Sequence, residues 1–136
     1  MAVSIPDDFR DLLDRPIVVA LVTVMPDGQP QATPVWVDYD GKYVCINTKR
    51  GRQKDKNMKI DAKVTVLSID PNDTSRWLEV RGRVAVETEE GAVEQINKLS
   101  LKYDGRADFF ADKPERRNTE QRVTYKIEPL RVNTSD

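Results

Sequence analysis

The chain has 136 residues, a formal net charge of −1, no histidine and a single cysteine, Cys45. The absence of histidine excludes Ser-His-Asp and Cys-His hydrolases, HExxH metalloproteases and most zinc sites, because each of these needs an imidazole. A single cysteine excludes an intrachain disulfide and a thiolate cluster, so we expect no metal site, and an enzyme of this composition would rely on a bound organic cofactor.

The N-terminal residues predict a short helix that begins near Pro6 and ends before Pro16, because Ile5, Phe9 and Leu12 can share one face. Acidic residues stand where a signal peptide would carry basic ones, and no run approaches the roughly 20 apolar residues that span a bilayer. We therefore expect a cytoplasmic protein without membrane contact. At this length a single domain over residues 1–136 is expected.

Three strands are predicted next, over residues 16–25, 31–40 and 42–48, from their β-branched or alternating residues. The pairs Asp27-Gly28 and Asp40-Gly41 separate them and are typical of hairpin turns. The sequence therefore predicts a three-stranded antiparallel meander.

The segment over residues 49–63 is strongly basic, with seven cationic residues against two acids and a local charge of +5. Gly51 permits a tight turn, and a short helix is expected after it. Free backbone N–H groups at that helix start, together with Arg52 and Lys54, predict a phosphate-binding site. Charge alone is equally compatible with a solvated helix. A nucleic-acid partner is not expected, because the patch is short and no RNP or KH signature accompanies it.

Strands over residues 62–70, 76–88 and 121–132 and an amphipathic helix over residues 89–105 complete the prediction. Gly82 interrupts the clearest alternation in the chain and suggests a bulge or a barrel corner. The fold class expected is mainly β with flanking helices, a six-stranded antiparallel barrel of the split type.

The order of these elements resembles the pyridoxamine 5'-phosphate oxidase-like superfamily of FMN-binding split β-barrels, and most closely its branch that uses the deazaflavin coenzyme F420. The motifs that carry the resemblance are T-P-V-W, I-N-T followed by R-G-R-Q-K-D-K-N, and W-x-x-V-x-G. The resemblance implies that Arg52 and Lys54 grip the cofactor phosphate. It also implies that the remaining cofactor-binding residues are Thr33, Pro34, Val35, Trp36, Thr48, Gln53 and Trp77.

Several of these residues have a second interpretation from the sequence. Val35 is equally compatible with the core, and Thr48 with capping the helix that follows. Gln53 is equally compatible with a contact to the cofactor and with an exposed surface position. Trp77 suits either the cofactor ring or the dimer interface.

Two segments depart from the family pattern. The C-terminal segment lacks the Trp and Arg that pyridoxamine-phosphate oxidases use on their substrate, so that particular activity is not expected. The loop over residues 102–117 has no counterpart and suits a lid or a dimer contact. Its Phe109-Phe110 pair is expected in the core or an interface.

The function that the resemblance implies is an F420-dependent oxidoreductase that transfers a hydride from the reduced cofactor to a small conjugated acceptor. It also implies a homodimer with the cofactor site at the subunit interface. No catalytic residue is identified by the sequence. An FMN-dependent oxidase or reductase of the same fold and a non-catalytic flavin- or deazaflavin-binding protein remain alternatives.

Overall fold

The computed structural model describes residues 2–135, which form one curled, fully antiparallel sheet of seven strands with the order β2-β1-β5-β6-β7-β4-β3. The strands are β1 Val19–Val24, β2 Pro30–Val35, β3 Asp38–Tyr39, β4 Val44–Lys49, β5 Lys63–Ile69, β6 Trp77–Thr88 and β7 Arg122–Thr134. The α-helices are α1 Asp11–Asp14, α2 Gln53–Asn57 and α3 Ala92–Asp104, with short 3₁₀ helices at Asp7–Phe9 and Pro114–Arg117. No helix within residues 2–135 is long and apolar enough to cross a bilayer.

The split-barrel fold class is confirmed, with seven strands instead of six. The additional strand arises because the predicted strand over residues 31–40 breaks at Trp36 and Val37. The predicted N-terminal helix likewise divides into a 3₁₀ turn and the four-residue α1.

The predicted three-stranded meander is wrong. β2 pairs with β1 at one edge of the sheet, whereas β3 pairs with β4 at the opposite edge, and β4 pairs on its other side with β7. The two Asp-Gly turns do form, because the carboxylate of Asp27 accepts from the Gln29 N–H and that of Asp40 from the N–H groups of Lys42 and Tyr43. The segment over residues 30–39 thus carries both edges of the sheet and closes the barrel.

Two side chains of α3 hold the break between β2 and β3. The Val37 N–H donates to the Tyr103 hydroxyl at 3.1 Å, and that hydroxyl donates to the Ile17 carbonyl at 2.7 Å. The Lys102 ammonium donates to the carbonyls of Val37 at 2.8 Å and Leu13 at 2.6 Å. These bonds satisfy the N–H and the carbonyl of Val37 at the break and connect it to the carbonyls of Leu13 and Ile17 in the N-terminal segment.

The core lies inside the barrel and is built from alternate residues of the strands. On β6 the predicted inward residues Leu78, Val80 and Val84 are buried, and on β7 Tyr125 and Ile127 are fully buried. Each large side chain buried in this way contributes roughly 1.5–3 kcal/mol.

A second, smaller cluster lies outside the sheet, where α3 packs on β4 and β7. Its buried members are Ile96, Leu99 and Phe110, as the helical periodicity predicts for the first two. Trp36 and Tyr103 stack against it with ring centroids 5.1 Å apart. The cluster attaches the helix that holds the break in the barrel.

Gly82 marks the bulge that the sequence predicts, because the β6–β7 register shifts between Arg81 and Gly82. A methyl group at Gly82 would lie 2.3 Å from the Glu128 carbonyl oxygen and 2.8 Å from Ile127 Cγ2. Only glycine allows the two strands to approach so closely here.

We expect Gly82→Ala to lower the free energy of unfolding by about 1–3 kcal/mol, because backbone must move to admit the methyl group. Urea denaturation measures the change. The neighbouring exposed substitution Arg81→Ala is the control and should stay within about 0.5 kcal/mol of the native protein. Equal effects of the two substitutions would contradict the close approach.

We expect Tyr103→Phe to cost about 1–3 kcal/mol of stability, since it leaves the Val37 N–H and the Ile17 carbonyl without their partner while preserving the ring. Tyr43→Phe is the matched control, because it removes the same hydroxyl group from a half-buried ring, which packs beneath Lys42 and Lys126. Thermal unfolding of both variants measures the difference. A Tyr103→Phe protein as stable as the control would show that the hydroxyl does not hold the break.

Candidate cofactor-binding site

An open cavity of about 190 Å³ lies where the end of β2, the strands β4 and β7, and the helices α2 and α3 meet. Its lining residues come from segments far apart in the chain. They are Pro34, Val35, Trp36, Asn47, Arg52, Lys54, Ile96, Phe109 and Arg122.

One wall of the cavity is aromatic and apolar. Trp36 projects from the break between β2 and β3, and Phe109 meets it edge-to-face with ring centroids 6.1 Å apart. The Phe109 N–H donates to the Asn97 side chain at 2.9 Å, which fixes the loop that carries the ring. Ile96 of α3 completes this wall. Such a surface suits a flat conjugated ring.

The mouth of the cavity carries two cations from the start of α2. Arg52 is exposed, and the Lys54 ammonium donates to the Thr33 hydroxyl at 3.2 Å. Burial lowers the pKa of Lys54, and the neighbouring positive charges of Arg52 and Arg122 lower it further. Neither cation forms an ion pair with a carboxylate of residues 2–135.

A third cation, Arg122, also lines the cavity and is only 4% exposed. Its Nε donates to the Asn47 side-chain oxygen at 3.0 Å and its Nη1 to Glu120 at 2.8 Å. Asn47 in turn donates to the Ala92 carbonyl at 2.8 Å. Burial lowers the pKa of Arg122, against the opposing effect of Glu120. Phe109 lies across the guanidinium, whose carbon is 5.2 Å from the ring centroid.

Arg50, in the same basic segment, faces away from this cavity into a set of carboxylates. Its guanidinium bonds to Asp55 at 2.9 Å, to Glu87 at 2.6 Å and to Glu89 at 2.9 Å. The Gly51 N–H donates to the Asp55 carboxylate at 2.9 Å. The turn therefore supplies its own anion for the Gly51 N–H, whereas no side chain caps the N–H groups at the start of α2.

Six of the nine predicted binding residues are brought together at the cavity. Five of them line it, namely Pro34, Val35, Trp36, Arg52 and Lys54. Thr33 lies next to the lining and accepts a hydrogen bond from Lys54. Val35 is at the same time a core residue, so its two predicted roles are compatible.

Three predicted residues lie elsewhere. Thr48 is 1% exposed and caps no helix, because α2 begins after Arg52 without a side-chain cap, and the capping prediction is wrong. The Gln53 amide donates to Asn57 at 2.9 Å, along its own helix. Trp77 lines a separate apolar depression with Leu67 and Ile69. None of the three lines the cavity of its own chain.

Asn47, Ile96, Phe109 and Arg122 are lining residues that the sequence analysis did not identify. Asn47 stands next to Thr48 in the I-N-T motif, and the alternation of the strand was the available signal. Phe110 is core, as expected, and Phe109 packs against the same cluster while it also lines the cavity. Arg122 carried no local signal beyond a charge at the start of an apolar strand.

The arrangement fits a phosphorylated aromatic cofactor. The residues present supply a flat apolar wall and three cations, and no carboxylate from residues 2–135 lines the cavity. An anion held there would be met by charge-assisted hydrogen bonds.

Comparison with known proteins identifies the family of this fold. A family model described as pyridoxamine 5'-phosphate oxidase matches residues 5–136. A solved F420 reductase is 33% identical, covers 95% of this chain and 98% of its own, and superposes with a TM-score of 0.81. No functionally curated protein sequence matches the chain significantly.

Two further solved structures share the fold at lower identity. A conserved hypothetical protein from Mycobacterium tuberculosis is 24% identical, with a TM-score of 0.77 over 99% of this chain and 86% of its own. A putative pyridoxamine 5'-phosphate oxidase from Listeria innocua is 22% identical, with a TM-score of 0.67 over 94% of this chain and 95% of its own.

The Asp55 carboxylate beside the cavity predicts an acid-sensitive contribution to stability. Burial alone would raise its pKa, but hydrogen bonds from Tyr125, Gly51 and Arg50 outweigh it and hold the pKa below the ordinary value of 3.8. Stability from this ionised group is complete above the unfolded-state pKa and is lost as the pH falls through the lower folded-state value.

We therefore expect the stability difference between the native protein and Asp55→Asn to be largest near neutrality and to narrow below a pH of about 4. Urea denaturation at a series of pH values measures it. A difference that stays constant down to a pH of about 2 would contradict this reading of the carboxylate.

Proposed function

We propose that this chain, which belongs to the pyridoxamine 5'-phosphate oxidase family, is an F420-dependent oxidoreductase that transfers a hydride to a small conjugated acceptor. The observation that carries the proposal is the convergence of Arg52 and Lys54 at the mouth of a cavity walled by Trp36 and Phe109. The 33% identity to an F420 reductase over nearly the whole of both chains favours the deazaflavin over FMN.

The residues of the chain bind and orient in this mechanism. Arg52 and Lys54 hold the phosphate through charge-assisted bonds, and Lys54 is itself positioned by Thr33. Trp36 and Phe109 hold the ring and exclude water from one of its sides. The bound cofactor, in its reduced form, supplies the hydride. Among residues 2–135 the cavity lining includes no histidine or carboxylate, so the accompanying proton would come from the Lys54 ammonium or from water at the open mouth.

We further propose that the protein acts as a homodimer through the outer face of β1, β2, β5 and β6. Val18 is 56% exposed and Ile69 is 43% exposed on this face. Two shallow depressions of about 370 and 320 Å³ share Leu67 and Ile69. An apolar surface of this continuity is typical of a protein interface.

The position of this face favours a second copy of the chain as its partner. Pro34 lines both the larger depression and the cofactor cavity. A copy seated on the face would therefore also cover one open side of the cavity, and Trp77 would contact that copy rather than the cavity of its own chain. The family resemblance implies the same placement of the site at a subunit interface.

Fluorescence titration of the purified protein with F420 and with FMN tests the cofactor. We expect micromolar binding of F420 and much weaker binding of FMN. The reverse order would make the protein an FMN-dependent enzyme of the same fold. Binding of neither would overturn the assignment of the cavity to this class of cofactor.

The double substitution Arg52→Ala with Lys54→Ala should weaken cofactor binding by about 2–4 kcal/mol if both residues contact the phosphate. Lys56→Ala with Lys59→Ala is the matched control, since it removes two exposed cations from the same segment but none from the cavity. An unchanged affinity in the first variant, or equal losses in both, would show that the phosphate binds elsewhere.

Substitution of Ile69 by glutamate should convert the proposed dimer to a monomer and weaken cofactor binding, because a buried unpaired carboxylate opposes association. Ile60→Glu introduces the same charge at a position that is 52% exposed and lies outside the apolar face. Sedimentation velocity of the native protein and both variants measures the oligomeric state. A native protein that is monomeric at micromolar concentration would refute the dimer.

A further inference from the structure

Arg122 is a buried cation whose donors are only partly used. It is the first residue of β7 and is 4% exposed. Nε and Nη1 have partners in Asn47 and Glu120, whereas Nη2 has no hydrogen-bond partner among residues 2–135. Nη2 is not one of the fully buried atoms without a partner, so it keeps some accessible surface. The Arg122 side chain lines the cavity. A donor group of the guanidinium therefore faces the cavity.

Glu120 does not use up the positive charge at this end of the cavity. The same carboxylate also contacts the guanidinium of Arg116, so one anion is shared between two arginines. Arg52 and Lys54 line the same cavity and add two more positive charges. Burial lowers the pKa of Lys54, and the positive charges of Arg52 and Arg122 lower it further. A cluster of this kind is unfavourable unless an anion joins it.

The guanidinium is held in one orientation. Asn47 accepts from Nε and is itself fixed by its bond to the Ala92 carbonyl at the start of α3. The Phe109 ring lies across the guanidinium with its centroid 5.2 Å from the central carbon. A pre-oriented arginine loses little conformational entropy when it binds an oxyanion.

We propose that Arg122 is a third ligand of the cofactor phosphate, which it binds together with Arg52 and Lys54. This inference rests on the proposed function, since it assumes that the cavity holds a phosphorylated cofactor. The phosphate is then bound from two parts of the chain, the loop and helix that follow β4 and the first residue of β7. We assign the phosphate and not a carboxylate of the F420 tail, because Arg122 lines the same cavity as Arg52 and Lys54, which the family resemblance assigns to the phosphate.

Pairs of ligands that differ only in the phosphate test this assignment. One pair is riboflavin and FMN, and the other is the deazaflavin ribityl alcohol and its 5'-phosphate. The dissociation constant of each member is measured by fluorescence for the native protein and for Arg122→Gln, with whichever ring system the native protein binds. The ratio within a pair isolates the contribution of the phosphate.

We expect Arg122→Gln to weaken binding of the phosphorylated member about 10- to 100-fold and to leave the phosphate-free member within about threefold. Arg122→Lys, which keeps the charge but not the fork of donors, should lose part of this affinity. Arg116→Gln is the control, since it contacts the same Glu120 but does not line the cavity, and it should leave the ratio unchanged.

Equal losses for both members of a pair would overturn the inference, because they would show that Arg122 only supports the shape of the cavity. A loss confined to F420 itself, with no change for the 5'-phosphate pair, would place Arg122 against the tail carboxylates and would also overturn it. If Arg122→Gln does not fold, as judged by circular dichroism, Arg122→Lys carries the comparison.

Failure of the proposed function is distinguishable from failure of this inference. If the native protein binds neither ring system, calorimetric titration with inorganic pyrophosphate replaces the ligand pairs. Binding of pyrophosphate that Arg122→Gln abolishes would retain Arg122 as a phosphate ligand without the cofactor. Binding that is absent or independent of Arg122 would overturn the inference, as would an unaltered FMN or F420 affinity in a protein that binds them.

Discussion

The hydroxyl of Tyr103 and the ammonium of Lys102 bond to the backbone at Val37, where the chain passes from one edge of the sheet to the other. Burial lowers the pKa of Lys102, so its charge is retained at a cost that its two carbonyl partners offset. The stacked ring of Tyr103 also fixes Trp36. The closure of the barrel and the aromatic wall of the cavity therefore depend on the same turn of α3.

Charge is distributed unevenly around that wall, and the distribution separates structure from binding. Arg50 is neutralised by three carboxylates and connects the turn after β4 to β6. Arg52 and Lys54, two and four residues further on, have no carboxylate partner in the described part of the chain, and Arg122 shares one with Arg116. A basic segment that looks uniform in sequence thus contains a structural arginine followed by two cations that remain available to an anion.

Local patterns predicted the strands, the Asp-Gly turns, the face of α3 and the glycine bulge, because each depends on neighbouring residues. The pairing of β4 with β7 was not predictable in this way, since closure of the barrel selects partners far apart in the chain. The same reason explains the site. Arg52 and Lys54 are two residues apart in sequence and were found, whereas Asn47 and Arg122 are 75 positions apart and gave no joint signal. Trp77 was predicted as a binding residue from the W-x-x-V-x-G motif, which does not indicate the face of the sheet that the side chain occupies.

The break at Trp36 and Val37 also links the two edge strands of the sheet through one short segment. Both margins of the sheet belong to one ten-residue segment, so neither can fray without pulling on the indole at its middle. A ligand bound against Trp36 would consequently restrain local opening at both edges of the barrel and not at a single strand. Tight binding of a ligand and a more rigid barrel are therefore expected together in this architecture.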